Sequence, residues 1–351
     1  MTPDVLDRLR SIGCNETVAR ALDGLAARGQ PMRVTAIQRE SATLSDGTTE
    51  LRATLAPRLG RDLAPRGESL TVGDWVLATG AEDAAQITAR MPPLTEIVRR
   101  ASDGMRQALV SNVDVALLVM GLDGDFNPRR LERYLVMVQA AGVHPVVVLT
   151  KPDLADTATA LVAGLQRRVS AAVPVRVVDA RSQNAAAALQ DVLRPGTTLV
   201  LLGSSGVGKS TLTNTLAGGP LQTIGAVRPS DSRGRHTTTT RTLVPLPGGA
   251  CVIDTPGLRG LEMHAGEEGL AAGFADIAAL ASHCRFRDCS HGGEPGCVVR
   301  SGIDPDRLAN FHKLKRELRR DSMTFLDRRR QLAEWKARGR LAEQRMKMKR
   351  G

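Results

Sequence analysis

The octapeptide Gly203-Ser204-Ser205-Gly206-Val207-Gly208-Lys209-Ser210 constrains this 351-residue chain more than any other feature. It leaves the apolar run Thr198-Leu199-Val200-Leu201-Leu202 and opens onto Thr211-Leu212-Thr213-Asn214, an order that predicts a strand, a glycine-rich loop and a helix start. The glycines let successive backbone N–H groups face one point, and the helix N-terminus adds positive partial charge there. Such a loop suits the phosphates of a nucleotide. Residues Gly203 to Thr211 form the cradle, with Lys209 reaching the β and γ phosphates and Ser210 ligating Mg²⁺.

The surrounding pattern fits a mostly parallel sheet covered by helices. Near-continuous aliphatic runs at Val115 to Met120, Pro145 to Leu149, Val173 to Val178, Thr198 to Leu202 and Cys251 to Ile253 alternate with helical segments, one of them near Arg129 to Ala141. The texture before Arg99 is different. Apolar residues at helical spacing from Val5 to Leu25, broken by Gly13, predict one or two short helices. Short alternating segments at Arg33 to Ile37, Thr49 to Leu55 and Asp74 to Ala78, separated by Gly and Asp turns, predict a small antiparallel barrel. That pattern suits a five-stranded nucleic-acid-binding barrel and other small barrels alike. Aromatic residues make up only 2% of the chain, so aliphatic side chains must fill the cores and stacking platforms for single-stranded nucleic acid are not expected.

Two further motifs close on the same ligand. Asp254-Thr255-Pro256-Gly257 follows the strand Cys251 to Ile253, where Asp254 can hold Mg²⁺ and the Gly257 amide can sense a γ-phosphate. Thr150-Lys151-Pro152-Asp153 ends the strand Pro145 to Leu149. The Asp153 carboxylate can accept from N1–H and the exocyclic amine of guanine, a donor pair adenine lacks, while the Lys151 stem lies along the purine ring. The chain therefore reads as binding GTP and GDP. Guanine-reading residues ordinarily follow the phosphate loop. Here they precede it, as a circular permutation of the sheet would produce. Val178-Asp179-Ala180 then falls where a Ser-Ala loop supports guanine, with the Ala180 amide toward O6 and Asp179 in place of the usual serine. Between the phosphate loop and Asp254, Ser232 to Thr240 is the candidate first switch, from which a threonine, taken as Thr238, closes on Mg²⁺. Leu258 occupies the position of a water-orienting glutamine and cannot orient water. His236 is the candidate catalytic residue in its place, with a solvent-exposed loop histidine as the alternative.

Cys284-x4-Cys289-x-His291-x5-Cys297 gathers three thiols and one imidazole within fourteen residues. A closed Cys₃His set predicts one structural Zn²⁺ with no open position, and free thiols are the alternative. The formal charge of +11 is uneven, since residues 311 to 351 hold fifteen Lys or Arg against five Asp or Glu. This predicts a polyanionic partner, or a solvated helix end. No run approaches the ~18 apolar residues of a membrane span, and Met1 to Arg10 lacks a signal-peptide layout. A cytoplasmic protein with no membrane partner is expected.

The permuted order, Gly234-Arg235-His236-Thr237-Thr238 and the Cys-x4-Cys-x-His-x5-Cys string together resemble the ribosome small-subunit-dependent GTPase A family of bacterial proteins, over nearly the whole chain. The resemblance implies an OB-fold N-terminal domain, a C-terminal α-helical zinc domain and action late in 30S subunit maturation. It further implies slow GTP hydrolysis stimulated by that subunit, catalysis by the first-switch histidine, here His236, and zinc held by Cys284, Cys289, His291 and Cys297. Thr150 stands where the family often has Asn. The expected organisation is a helical extension over 1–31, an OB-like β-barrel over 32–99, a permuted α/β P-loop domain over 100–265, a zinc-binding domain over 266–320 and a basic tail over 321–351. Expected partners are the 30S subunit and 16S rRNA, with no DNA, and the expected state is a monomer. A nucleic-acid-binding regulator that uses the nucleotide as a passive signal is the alternative from another class. Because Leu258 leads directly toward the cysteine cluster, γ-phosphate contacts are expected to bear on that module.

Overall fold

The computed structural model describes residues 1–38, 41–81, 84–100, 106–219, 241–254 and 266–322. His236, Thr238, Gly257 and the tail beyond 322 lie outside these residues. The chain opens with α1 (Pro3–Arg10) and α2 (Glu16–Asp23), and Asn15 caps α2 by accepting from the Val18 amide at 3.0 Å. Leu9, Val18 and Leu22 of the two helices and Ile12 from the turn between them cluster with Trp75 of the barrel.

The barrel consists of β1 (Gln30–Gln38), β2 (Ser41–Ser45), β3 (Glu50–Leu55), α3 (Pro57–Leu63), β4 (Trp75–Thr79) and β5 (Ala85–Arg90). Strand β1 pairs with β2 and β4, β2 with β3, β3 with β5 and β5 with β4. The sheet thus closes in the order 1-2-3-5-4-1, with Met32, Val34, Leu44, Val76 and Ile87 inside. One pair departs from the antiparallel expectation: β3 and β5 run parallel. A parallel pair needs a crossover, and the connection through α3 and β4 supplies it.

A hairpin of β6 (Glu96–Arg100) and β7 (Arg106–Ser111) follows, so residues 99 and 100, the expected boundary, lie within one strand. The α/β unit then runs β8 (Val115–Gly121), α4 (Pro128–Ala140), β9 (His144–Thr150), α5 (Ala158–Gln166), β10 (Val175–Val177), α6 (Ala185–Ala188), β11 (Thr198–Leu202), α7 (Lys209–Leu216), β12 (Thr242–Pro245) and β13 (Cys251–Asp254). In space the strands lie 10-9-8-11-13-12, all parallel except β12. Both faces of β8, β9, β11 and β13 are covered, which is why these strands read as aliphatic runs, whereas the edge strand β10 is only half-buried. Ala116, Leu118 and Met120 of β8 face the core containing α4, while Leu117 and Val119 face the core containing Leu212 of α7.

Beyond it come α8 (Glu267–Gly273), α9 (Ala275–Ala281), α10 (Val298–Gly302) and α11 (Pro305–Ser322). Leu270, Ile277, Leu308, Leu314 and Leu318 from these helices, with Phe274 at the junction of α8 and α9, join the α4 side of the α/β core. On the other flank Ala36 of β1 pairs with Thr242 of β12, joining barrel and α/β sheet edge to edge.

Candidate functional site

The candidate nucleotide residues converge on the carboxyl ends of β8, β9, β10, β11 and β13, the edge where open parallel sheets bind ligands. Strand β11 delivers the phosphate loop. A Cβ on Gly203 would lie 2.3 Å from the Val119 carbonyl oxygen of β8, and Gly208, the residue before α7, has φ +97°; only glycine suits both places. Val207 is buried, whereas Ser205, Gly206, Ser210 and Thr211 are exposed. The Lys209 amine donates to the Gly203 carbonyl at 2.9 Å and the Ser204 carbonyl at 2.6 Å. Burial pushes the Lys209 pKa down, and the Asp254 and Asp125 carboxylates oppose that shift. Burial pushes Asp254 up, with Lys209 opposing. This ammonium and carboxylate face the loop together, as phosphate and magnesium chemistry requires.

The candidate guanine-reading motif is tied to that loop. Thr150 is fully buried, and its hydroxyl donates to the Val207 carbonyl at 2.6 Å. Lys151 adopts a left-handed conformation (φ 56°, ψ 48°) before Pro152, and its amine pairs with Asp123 at 2.7 Å. That bond holds the Asp123 carboxyl below the usual range. Asp153 is exposed, with Oδ2 accepting from Arg181 at 3.0 Å. Ala180 is buried beside the loop, and its carbonyl accepts from Thr215 of α7 at 2.7 Å.

Sequence reasoning missed three charged residues. Asp123 and Asp125 lie on the loop after β8, where Asp125 accepts from the Ser204 hydroxyl and from Arg130; Arg181 bridges Asp153 and Asp179. The available signal was their position just past the carboxyl ends of apolar strands.

The ligand atoms of Cys284, Cys289, His291 and Cys297 all lie within 4.8 Å of one another. Cys284 Sγ and Cys297 Sγ are 3.7 and 3.5 Å from His291 Nδ1. A zinc tetrahedron with Zn–S ~2.3 Å and Zn–N ~2.05 Å has sulfur–nitrogen edges of about 3.6 Å, so the donor set fits Zn²⁺. Cys297 Sγ also accepts from the Arg300 amide at 3.4 Å at the start of α10. The Glu294 carboxylate gathers the amides of Ser290, Gly292 and Gly293 and fixes the loop between ligands.

Residues 91–264 match the RsgA GTPase family model. A small ribosomal subunit biogenesis GTPase RsgA from Xylella fastidiosa (strain 9a5c) is 48% identical over 307 residues, covering 85% of this chain and 89% of the relative. The chain belongs to the RsgA GTPase family. The protein of the same name from Xanthomonas euvesicatoria pv. vesicatoria (strain 85-10) is 44% identical over 332 residues, covering 90% of each. Among solved structures, YjeQ from Thermotoga maritima superposes with TM-score 0.62 at 23% identity, over 82% of this chain and 98% of that one. YloQ, described as a circularly permuted GTPase, superposes with TM-score 0.59 at 21% identity, over 84% and 96%. These two share the fold. As a member of the RsgA GTPase family the chain is a GTP-hydrolysing enzyme, and that chemistry implies GTP, GDP and Mg²⁺. Among the described residues no helix is long and apolar enough to cross a membrane.

Proposed function

We propose that this chain is a GTPase of small-subunit maturation that binds the 30S ribosomal subunit through 16S rRNA and hydrolyses GTP when seated there. The observation that carries this reading is the likeness, over most of the chain, to relatives named for small ribosomal subunit biogenesis, at 85% and 89% coverage of the two chains in one case and 90% of each in the other. It agrees with a phosphate loop and a base-reading motif that meet at one sheet edge in permuted order.

In this reading Gly203 to Thr211 hold the phosphates, and Ser210, Thr238 and Asp254 serve Mg²⁺. Thr150 to Asp153 and Ala180 read the base, Gly257 answers the γ-phosphate, and His236 positions the attacking water. Cys284, Cys289, His291 and Cys297 hold a structural Zn²⁺. The protein works as a cytoplasmic monomer, and its partner is RNA rather than DNA. The deciding experiment is GTP hydrolysis with and without purified 30S subunits, with ATP as control, for the wild type and His236→Ala. Stimulation by 30S that is lost in the variant supports the reading. Absence of stimulation in the wild type would refute the 30S trigger.

A further inference from the structure

The loop after β10 carries Asp179-Ala180-Arg181 where a guanine site ordinarily has Ser-Ala. Asp179 stands where a Ser-Ala loop has a hydroxyl donor, beside the place where guanine presents O6, an acceptor. A carboxylate there removes a donor and adds a negative charge. With Asp153 it puts two like charges around one base edge, and both are exposed. Unopposed, this arrangement works against the ligand that Asp153 is suited to read.

Arg181 offsets it. Its backbone N–H and Nε donate to Asp179 Oδ1 at 3.0 and 3.3 Å, and one terminal nitrogen donates to Asp153 Oδ2 at 3.0 Å. The same contacts hold the Asp179 carboxyl below its ordinary range. The loop that carries Arg181 is firmly anchored: the Val178 amide donates to the Leu149 carbonyl at 2.8 Å, and Thr215 of α7 donates to the Ala180 carbonyl at 2.7 Å. A guanidinium has five N–H donors in a planar fork. Two are engaged with these carboxylates, and Asp153 retains Oδ1 and further lone pairs for the N1–H and amine of guanine.

Resting on the guanine-site reading above, we propose that Arg181 is a specificity-determining positioning residue. It fixes the Asp153 carboxylate for base reading and, paired with Asp179, takes over the role of the missing serine by restoring neutral charge and a donor at the O6 edge. The compensation is mutual, so Arg181 matters because Asp179 is present.

The test is equilibrium binding of GDP and ADP to the full chain for the wild type, Arg181→Ala, Arg181→Lys, and Asp179→Ser with Arg181→Ala. The expected result is about a fivefold loss of GDP affinity in Arg181→Ala, the size of an exposed charge-assisted contact, with a correspondingly lower GDP-to-ADP ratio. Arg181→Lys keeps the charge without the fork and is expected to recover part of the loss, while the double variant is expected to bind GDP better than Arg181→Ala alone. Unchanged or tighter GDP binding by Arg181→Ala would overturn the proposal, since it would make Arg181 either idle or a competitor of guanine. A double variant as weak as the single one would also overturn it. Asp153→Asn assayed with xanthosine diphosphate separates the two levels. If it gains no xanthine preference the base site itself is wrongly assigned; if it does and Arg181→Ala is silent, only the role of Arg181 fails.

Discussion

Thr150 shows how much one side chain can say before and after folding. Its position, ending an aliphatic strand before Lys-Pro-Asp, is readable in the sequence, and so is its departure from the family's asparagine. Its contact is not, because Val207 is far along the chain and only the parallel pairing of β8 with β9 and β11 brings the two loops together. A hydroxyl has one donor hydrogen, and here it is directed to the Val207 carbonyl at 2.6 Å. The threonine therefore keeps the tie to the phosphate loop and has no second donor for the base. Thr150→Val preserves the shape and strands that buried carbonyl, at a cost of about 1–3 kcal/mol. The expected outcome is GDP affinity lower by about tenfold and a lower melting temperature, read by fluorescence titration and thermal unfolding. Full retention of both would mean that the hydrogen bond contributes nothing. Asp125 and Arg181 escaped sequence reading for a related reason: charged residues in loops look like solvated turns until the sheet edge they decorate is known.

At the level of elements, legibility followed periodicity. Four of the five aliphatic runs became β8, β9, β11 and β13 because strands buried on both faces cannot hide their composition, and the fifth became the edge strand β10, which is only half-buried. The barrel's β2 and β5 are short and mixed, Ser41–Ser45 and Ala85–Arg90, and only closure with their neighbours identifies them. The cysteine-rich loop lies at the opposite extreme, with spacing that announces a ligand set and almost no regular structure to support it. Between Ala281 and Val298 the described chain has turns and bends, so the order there depends on the ligands and on Glu294. Purified protein is expected to carry about one zinc per chain by elemental analysis. Cys297→Ser is expected to lose most of it and to melt several degrees lower, because a thiolate ligand is gone even though the serine hydroxyl can still accept from the Arg300 amide at the start of α10. A variant that keeps its zinc and its melting temperature would exclude Cys297 from the ligand set.

The whole molecule is held together by buried polar networks that local patterns cannot reveal, because their partners lie far apart in sequence. Arg33 of β1, fully buried, donates to Thr198 Oγ1 at 2.8 Å and to the Gly73 and Asn112 carbonyls at 3.2 and 2.9 Å, and also contacts the Ile12 carbonyl. It joins the N-terminal helices, the barrel and the α/β sheet at one guanidinium. Glu132 of α4 does the same on the other side. With no exposure, it accepts from Arg168 at 2.9 Å, Arg307 at 3.0 Å and Asn310 at 2.5 Å, the last two on α11.

Helix α4 starts just after the loop whose Asp125 holds Ser204 and pairs with Arg130 of α4. A continuous set of contacts therefore runs from the phosphate loop through α4 to the helix that follows the zinc ligands. This route consists entirely of described residues, separate from the covalent link through Leu258. Glu132→Gln takes one carboxylate from the buried Arg307 and the part-buried Arg168, leaving them Asp276 and Asp306, and is expected to cost about 3 kcal/mol. Glu317→Gln, at the half-exposed pair with Arg133, is expected to cost under about 1 kcal/mol. Urea unfolding of the two variants checks that ranking. If α4 carries the signal between the nucleotide and the C-terminal helices, Glu132→Gln will also lose more 30S-stimulated than intrinsic GTP hydrolysis, while Glu317→Gln keeps their ratio. Equal loss of both rates in Glu132→Gln would reduce the network to a structural brace and return the coupling to the segment after Asp254.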